Sequence, residues 1–432
     1  MTIDSSLPAS FVEKLIGELH GPGSAAAEVV RPVHVVYGGA HLFTERTVDK
    51  LGERARVAMD TWGMDAVSFG RAIGITEPAL AEGVASRVRA KLAARPVEAL
   101  CIDFEDGYGP RSDEEEDAEA TRSGAELART SASGTTIGIR IKALGGPAAR
   151  RGIRTLDRFV TSYAKANRGR LRDGFSVTLP KISAPDEVRA LVDVLERLES
   201  LLGIERAIDV ELMVETPSAL IRTGGLAVPA LVEAARGRAV AVHLGAYDFT
   251  AELGVTAGDQ RLDHPYCDLA RMLLKLGAAG TRVGVSDGAT TILPIAPKSA
   301  TAEESAVAVH RAWALHAANV RRAIDVGIWQ GWDLHPAQLP ARYGALFGYF
   351  LSRRGEMTKR LRSFVENATQ ASRVGQIFDD AATGQGLMTF FVRGLRCGAL
   401  DEADLRDTSL SVSELSRSFT EIVAMRAEGA QA

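Results

Sequence analysis

Residues 208–220 read IDVELMVETPSAL, an apolar run of strand character that breaks off at Glu215 into a polar turn. Seven other runs have the same build: VHVVY (33–37), EALCIDF (98–104), TTIGIRI (135–141), FSVTLP (175–180), AVAVHL (239–244), TRVGVS (281–286) and IWQGWDL (328–334). Most are near-continuously apolar, which a strand tolerates when both of its faces are covered. Helical spacing fills the intervals, and strands alternating with helices predict a parallel α/β fold. Eight strands favour closure into a barrel over an open sheet, the eighth run being the weakest of the set.

The intervals carry helix punctuation. Thr44 is placed as N-cap of a helix over 44–61, Pro185, Asp186 and Glu187 open one over 185–202, and Thr301-Ala-Glu-Glu gives a capping box to one over 301–326. The first interval is long, with a Gly-rich break near Gly63–Gly74, and predicts an inserted helical segment. The acidic stretch 108–119 reads as a solvated loop entering a helix. Residues 340–400 read as helices broken at Gly375, Gly384, Gly386 and Gly394, followed by a frayed tail. The expected organisation is an N-terminal helical segment (1–30), a barrel (31–345) and a C-terminal helical extension or lid (346–432).

Composition narrows the function. The 432 residues are 46% hydrophobic and 25% charged, and 51 Lys and Arg against 55 Asp and Glu leave a net charge of −4. Such a balance offers no field for nucleic acid or an anionic membrane and favours a small-molecule substrate. Cys101, Cys267 and Cys397 show no CxxC spacing and read as reduced packing residues. The N-terminus lacks the pattern of an export signal and no run is long enough to span a membrane, so the chain reads as cytoplasmic.

Charged residues gather where these strands end, the face on which barrel enzymes place their sites. They are Asp103, Glu105 and Asp106 at the second run, Arg140 in the third, Lys181 after the fourth, Glu215 after the fifth, Asp248 after the sixth, Asp287 after the seventh, and Asp333 with His335 after the eighth. Glu215 and Asp248 come from adjacent strands and offer hard oxygen ligands suited to Mg2+ or Mn2+. Two carboxylates leave positions for water and for the carboxylate and keto oxygen of a 2-oxo acid, on which the metal would act as a Lewis acid. The plainer alternative is a pair of helix-start carboxylates stabilised by helix dipoles.

Arg140 ends an otherwise uncharged strand and is aimed either at a substrate carboxylate or enolate oxygen or at Asp103, Glu105 and Asp106. Lys181 is an anion binder, a salt-bridge partner or, less consistently with a metal, a Schiff-base amine. Tyr37, Asp103, Asp287 and His335 complete the expected substrate-facing set, His335 with a structural role as the alternative. His310 and His316 fall on a helix as surface or packing groups, and eight histidines without HxH or HExxH spacing argue against zinc.

In chain order, IDFEDG (102–107), LPKIS (179–183), VETPSAL with LGAYDF (214–220 and 244–249) and WDLHPAQL (332–339) resemble the motifs of the HpcH/HpaI aldolase / citrate lyase beta-subunit superfamily, which includes malyl-CoA and citramalyl-CoA lyases and is related to malate synthase. The resemblance implies a (β/α)8 TIM barrel of the phosphoenolpyruvate/pyruvate-binding type and a Mg2+-dependent carbon–carbon lyase. It implies Glu215 and Asp248 as metal ligands, Arg140 as the enolate and carboxylate binder, and Glu105 with Asp106 as supporting acids. It further implies a homo-oligomer, a trimer or hexamer, in which a C-terminal segment covers the neighbouring barrel. GQIFDDAATGQ (375–385) is similar to that lid, which nominates Asp379 or Asp380 as general base or acid. The first strand departs from the family pattern, reading RPVHVVYGGA (31–40), and leaves a CoA thioester and a free hydroxy acid both open as substrate. The competing readings are a malate-synthase-like acyl-CoA condensing enzyme and a non-catalytic protein that binds an oxo acid.

Overall fold

A computed structural model of the chain describes residues 31–373 and 381–429. Eight parallel strands close into a barrel: β1 (His34–Gly39), β2 (Ala99–Asp103), β3 (Thr136–Arg140), β4 (Ser176–Leu179), β5 (Asp209–Val214), β6 (Ala239–Leu244), β7 (Gly284–Ala289) and β8 (Gln330–Asp333). Each pairs with its predecessor in sequence, and β1 closes the ring on β8. The expected α/β barrel is therefore the fold. The expected N-terminal segment 1–30 lies outside the described residues.

The strands are apolar on both faces because each separates two packed layers. Val35, Tyr37, Ala99, Cys101, Met213, Ala289 and Trp332 fill the barrel interior. A larger core lies between strands and helices and runs without interruption into the C-terminal helices, through residues such as Leu346, Phe350 and Phe391. The 35-residue helix Leu339–Arg373 lies against the helices Pro78–Ala94 and Ala302–Asp325. It spans position 345, where the barrel and the extension were expected to part. Cys101, Cys267 and Cys397 are buried and unbonded. Among the described residues no helix is long and apolar enough to cross a membrane.

The insertion between β1 and β2 comprises three helices, Thr47–Trp62, Ala66–Ala72 and Pro78–Ala94. The first begins three residues after the expected Thr44 cap, with Arg46 at the N-cap position, because Thr44 donates its backbone N–H to the Thr47 hydroxyl instead of starting the helix. The acidic stretch is no solvated loop from residue 113 onward. Ser112 makes a capping box with Glu115, four acids fill the first turn of Asp113–Arg129, and Glu116 is buried, bonded to Lys142 and Thr155. Those acids face the positive end of the helix dipole.

Strand β7 lies further along the chain than expected, and it holds Asp287 within the strand. Arg271 neutralises that carboxylate, at 2.8 Å and 3.1 Å, which removes the cost of burying it. The C-terminal glycines also differ from expectation. Gly384, Gly386 and Gly394 lie inside the helix Ala381–Cys397, the first close to Phe419 and the last to Leu400, where a side chain would collide; Gly375 falls outside the described residues. The tail is not frayed through residue 429: Phe419, Ile422 and Val423 of the helix Phe419–Gly429 are buried in the core.

Candidate active site

The C-terminal mouth of the barrel is built around Arg140. Strand register sets Asp103 beside it, and Asp103 accepts from Arg140 Nε at 2.7 Å and from Nη2 at 2.5 Å. The backbone N–H groups of Glu105 and Gly107 donate to the same carboxylate. Both oxygens are thus committed, so Asp103 positions Arg140 and does not face substrate as expected. Arg140 Nη1 remains, 3.0 Å from Glu105 and 3.5 Å from Asp106. The guanidinium is nearly buried and lies over the Tyr37 ring, 5.2 Å from its centroid.

Tyr37 was expected to touch substrate, yet its register partner is Cys101, one inward-facing layer below Asp103. It stacks on Trp332 at 4.3 Å and forms the floor beneath Arg140. Trp332 is itself held: its indole N–H donates to His243 Nδ1 at 2.9 Å. Since an indole nitrogen only donates, His243 carries its proton on Nε2, which lies 3.2 Å from Glu211. This supporting column was missed from sequence. Trp332 stands inside a quoted motif, but nothing in a strand pattern says which neighbour an inward ring will meet.

Lys181 sits at a positive φ of 50°, a conformation strained for a side chain with a Cβ and seldom kept without a local reason. Here the turn aims its backbone N–H at Glu215 Oε1, 2.6 Å away, and its ammonium at Glu105, at Asp106 (3.2 Å) and at Asp248 (3.8 Å). Burial works against that ammonium, but the surrounding carboxylates raise its pKa above the ordinary lysine value. A Schiff-base role, which needs a free amine, is not what this environment favours. Glu105 is pushed up by burial, while Asp106, half-exposed and close to Arg140 and Lys181, is held down, so the adjacent acids are set apart.

Glu215 follows β5, whose last residue, Val214, pairs with Leu244 of β6. Asp248 stands four residues beyond Leu244, in the first turn of Ala246–Glu252. Glu215 is buried, and burial together with Asp248 and Glu105 pushes its carboxyl up to about 8. Gly245 makes this closeness possible: a Cβ there would lie 2.4 Å from Glu215 Cβ and 2.5 Å from Oε2. Gly245→Ala is expected to displace the Glu215 carboxylate and, where that carboxylate serves as a Mg2+ ligand, to weaken binding about 10- to 100-fold, the range for changes that reorient a ligand. Isothermal titration with Mg2+ checks this, and unchanged affinity would show that Glu215 holds no metal.

The remaining expected residues are not brought to this cluster. Asp287 is bound to Arg271, away from the mouth. His335 caps the short helix Pro336–Gln338, its Nδ1 accepting from Ala337 N at 3.2 Å, which fits the structural alternative. Asp333 is fully buried with Arg342 and His316, so His316 is a packing group, while His310 bonds the Trp62 carbonyl. Asp379 and Asp380 lie outside the described residues.

Five carboxyl groups, those of Asp103, Glu105, Asp106, Glu215 and Asp248, surround two cations, Arg140 and Lys181. The mouth has an excess of negative charge that a divalent ion would offset, and Lys181 already occupies a cation position among three of the acids. Among the described residues no three His, Cys, Asp or Glu side chains are grouped so as to hold a metal. Glu215 and Asp248 fit a hard divalent ion that takes its other ligands from water and substrate.

No curated protein matches the sequence. Solved structures do resemble the fold. A citrate lyase from Burkholderia xenovorans LB400 is 18% identical, with a TM-score of 0.54 over 89% of this chain and 98% of its own. A malate synthase from Haloferax volcanii is 12% identical, with a TM-score of 0.48 over 87% of this chain and 99% of its own. A citrate lyase beta subunit from M. tuberculosis, complexed with oxaloacetate and magnesium, is 18% identical, with a TM-score of 0.39 over 74% and 97%. Identities this low speak to fold, and the likeness rests on the first of the three. The sequence itself matches a family profile over residues 18–422, and the chain therefore belongs to the family described as Domain of unknown function (DUF6986).

Proposed function

We propose that this protein is a Mg2+-dependent carbon–carbon lyase that cleaves a 3-hydroxy acid or a hydroxyacyl-CoA thioester and releases a 2-oxo acid or aldehyde. The observation that carries the reading is the convergence of Glu215, Asp248, Arg140, Glu105 and Lys181 on one barrel mouth. Glu215 and Asp248 would hold the ion, which when bound supplies Lewis acidity toward the keto or hydroxyl oxygen of the substrate. Arg140, fixed by Asp103 on one edge, presents Nη1 to a substrate carboxylate or to the enolate oxygen that develops as the bond breaks. In that step the hydroxyl gives its proton to solvent and the neighbouring carbon–carbon bond breaks. Its electron pair passes to the adjacent carboxyl or thioester carbonyl as an enolate, and a proton returned to carbon completes the product. Glu105, pushed up by burial and set beside Arg140 Nη1, is placed to exchange a proton with the substrate. The Burkholderia neighbour supports the barrel framework, and an oligomer, trimeric or hexameric, belongs to the same reading.

The test is a panel of 3-hydroxy acids and hydroxyacyl-CoA thioesters incubated with the protein and Mg2+, with product followed by NMR. Mg2+-dependent release of a 2-oxo acid or aldehyde from at least one is expected. No release from any, together with soaked pyruvate, oxaloacetate or glyoxylate settling away from Glu215, would overturn the proposal.

The reading also fixes a pH dependence. Glu215 must lose its proton to take up a cation, so Mg2+ affinity is expected to rise about tenfold per pH unit between about pH 6 and 8 and to level off above. Titration in buffers of different ionisation enthalpy should show close to one proton released per ion at the lower end. A flat profile would show that no group titrating near pH 8 controls uptake of the ion. Without metal the sign reverses for stability: a carboxyl raised in the folded state stabilises it below its unfolded pKa, and that contribution is lost as pH rises through about 8.

A further inference from the structure

The opposite mouth of the barrel, where the strands begin, holds a cavity of about 680 Å3 between the barrel floor and the helices Leu339–Arg373 and Ala381–Cys397. Its lining is strongly basic, with Arg31, Arg95, Lys275, Arg282, Arg393 and Arg396. Glu98 is the only acid lining it among the described residues, and that carboxylate is already bonded to Lys91 and to the Val33 N–H. Among the described residues Arg31, Lys275, Arg282 and Arg396 make no ion pair. Arg31 Nε is buried without a hydrogen-bond partner, and burial lowers the pKa of Lys275 with no carboxylate to oppose it. Arg31 and Lys275 are half-buried and Arg95, Arg282 and Arg396 stand exposed at the rim; Glu211 and Asp209 partly offset the burial of Arg31, and the remaining positive charge around one space favours an anion.

From this arrangement we propose that the floor cavity is a second ligand site, distinct from the candidate active site, for a small molecule carrying a phosphate or pyrophosphate group. Guanidinium forks match phosphate oxygens in pairs, a lysine adds a point charge, and several cations together suit a multiply charged group better than a single carboxylate. The volume leaves room for an organic remainder. The proposal does not depend on the chemistry assigned to the other mouth, because no residue is shared between the two.

The test is isothermal titration of the full chain with inorganic pyrophosphate. Saturable binding at one site per chain is expected. Arg282→Ser with Arg396→Ser removes two exposed rim cations and should weaken it about tenfold or more. Lys181→Met, at the active-site mouth, should leave it unchanged, as should acetate added at matched ionic strength. Absence of saturable binding would overturn the proposal. So would an affinity unmoved in the double variant while its thermal melt matches the parent, loss of binding on Lys181→Met, or displacement by acetate.

Discussion

Glu215→Gln is expected to lower turnover by about three orders of magnitude, the equivalent of the several kcal/mol a Lewis-acidic ion contributes. Glutamine keeps the shape of the side chain and a carbonyl oxygen for the Lys181 N–H, so the turn at Lys181 has what it needs to form. What it removes is the negative charge that a divalent cation requires. Mg2+ affinity should fall with turnover, while the metal-free variant should melt no lower than the parent, and higher above about pH 8, where the parent must carry a buried carboxylate. A variant that retained both Mg2+ binding and cleavage would show that the metal, if any, lies elsewhere. One that bound Mg2+ normally but failed to turn over would assign Glu215 to the reaction and not to the ion.

Asp333→Ala is expected to cost about 3–5 kcal/mol of stability, the loss typical when one partner of a buried ion pair is removed. Asp333 is fully buried at the end of β8 and accepts from Arg342 Nε at 2.9 Å and 2.8 Å, with His316 Nε2 3.0 Å away. Burial opposes its charge, yet Arg342 and His316 hold the carboxyl well below the usual range. Removing it leaves the Arg342 guanidinium in the core with only the Trp332 carbonyl as acceptor. The measurement is a shift in the urea midpoint of unfolding. A change within a few tenths of a kcal/mol would show that the pair is not what joins β8 to the helix Leu339–Arg373.

The fold was legible because runs such as IDVELMV at β5 and AVAVHL at β6 are largely apolar, and that pattern follows from a barrel strand having a covered face on each side. Arg140, Glu215, Lys181 and Asp248 stand where apolar runs stop, and the structure places their side chains together at the barrel mouth. Asp287 and Asp333 look identical to them in sequence and have different fates. Their side chains meet Arg271 and Arg342 on the helices that flank their strands in the chain, and only the packing of those helices against the barrel wall brings the guanidinium groups to them. Tyr37 fell one layer short of the site because strand stagger, not strand identity, sets depth within a barrel.

The sequence by itself determined the eight strands, their parallel order and the identity of the acids and bases that end them, because burial on two faces and the cost of an isolated charge are written residue by residue. Only the tertiary structure decided which of those charges neutralise one another inside the wall and which remain at the mouth. It also decided that Gly245 lets Glu215 approach β6, that Trp332 and Tyr37 support Arg140, and that cations gather beneath the barrel floor. Each of these is a distance between residues far apart in the chain, fixed by closure of the barrel and by the packing of helices around it.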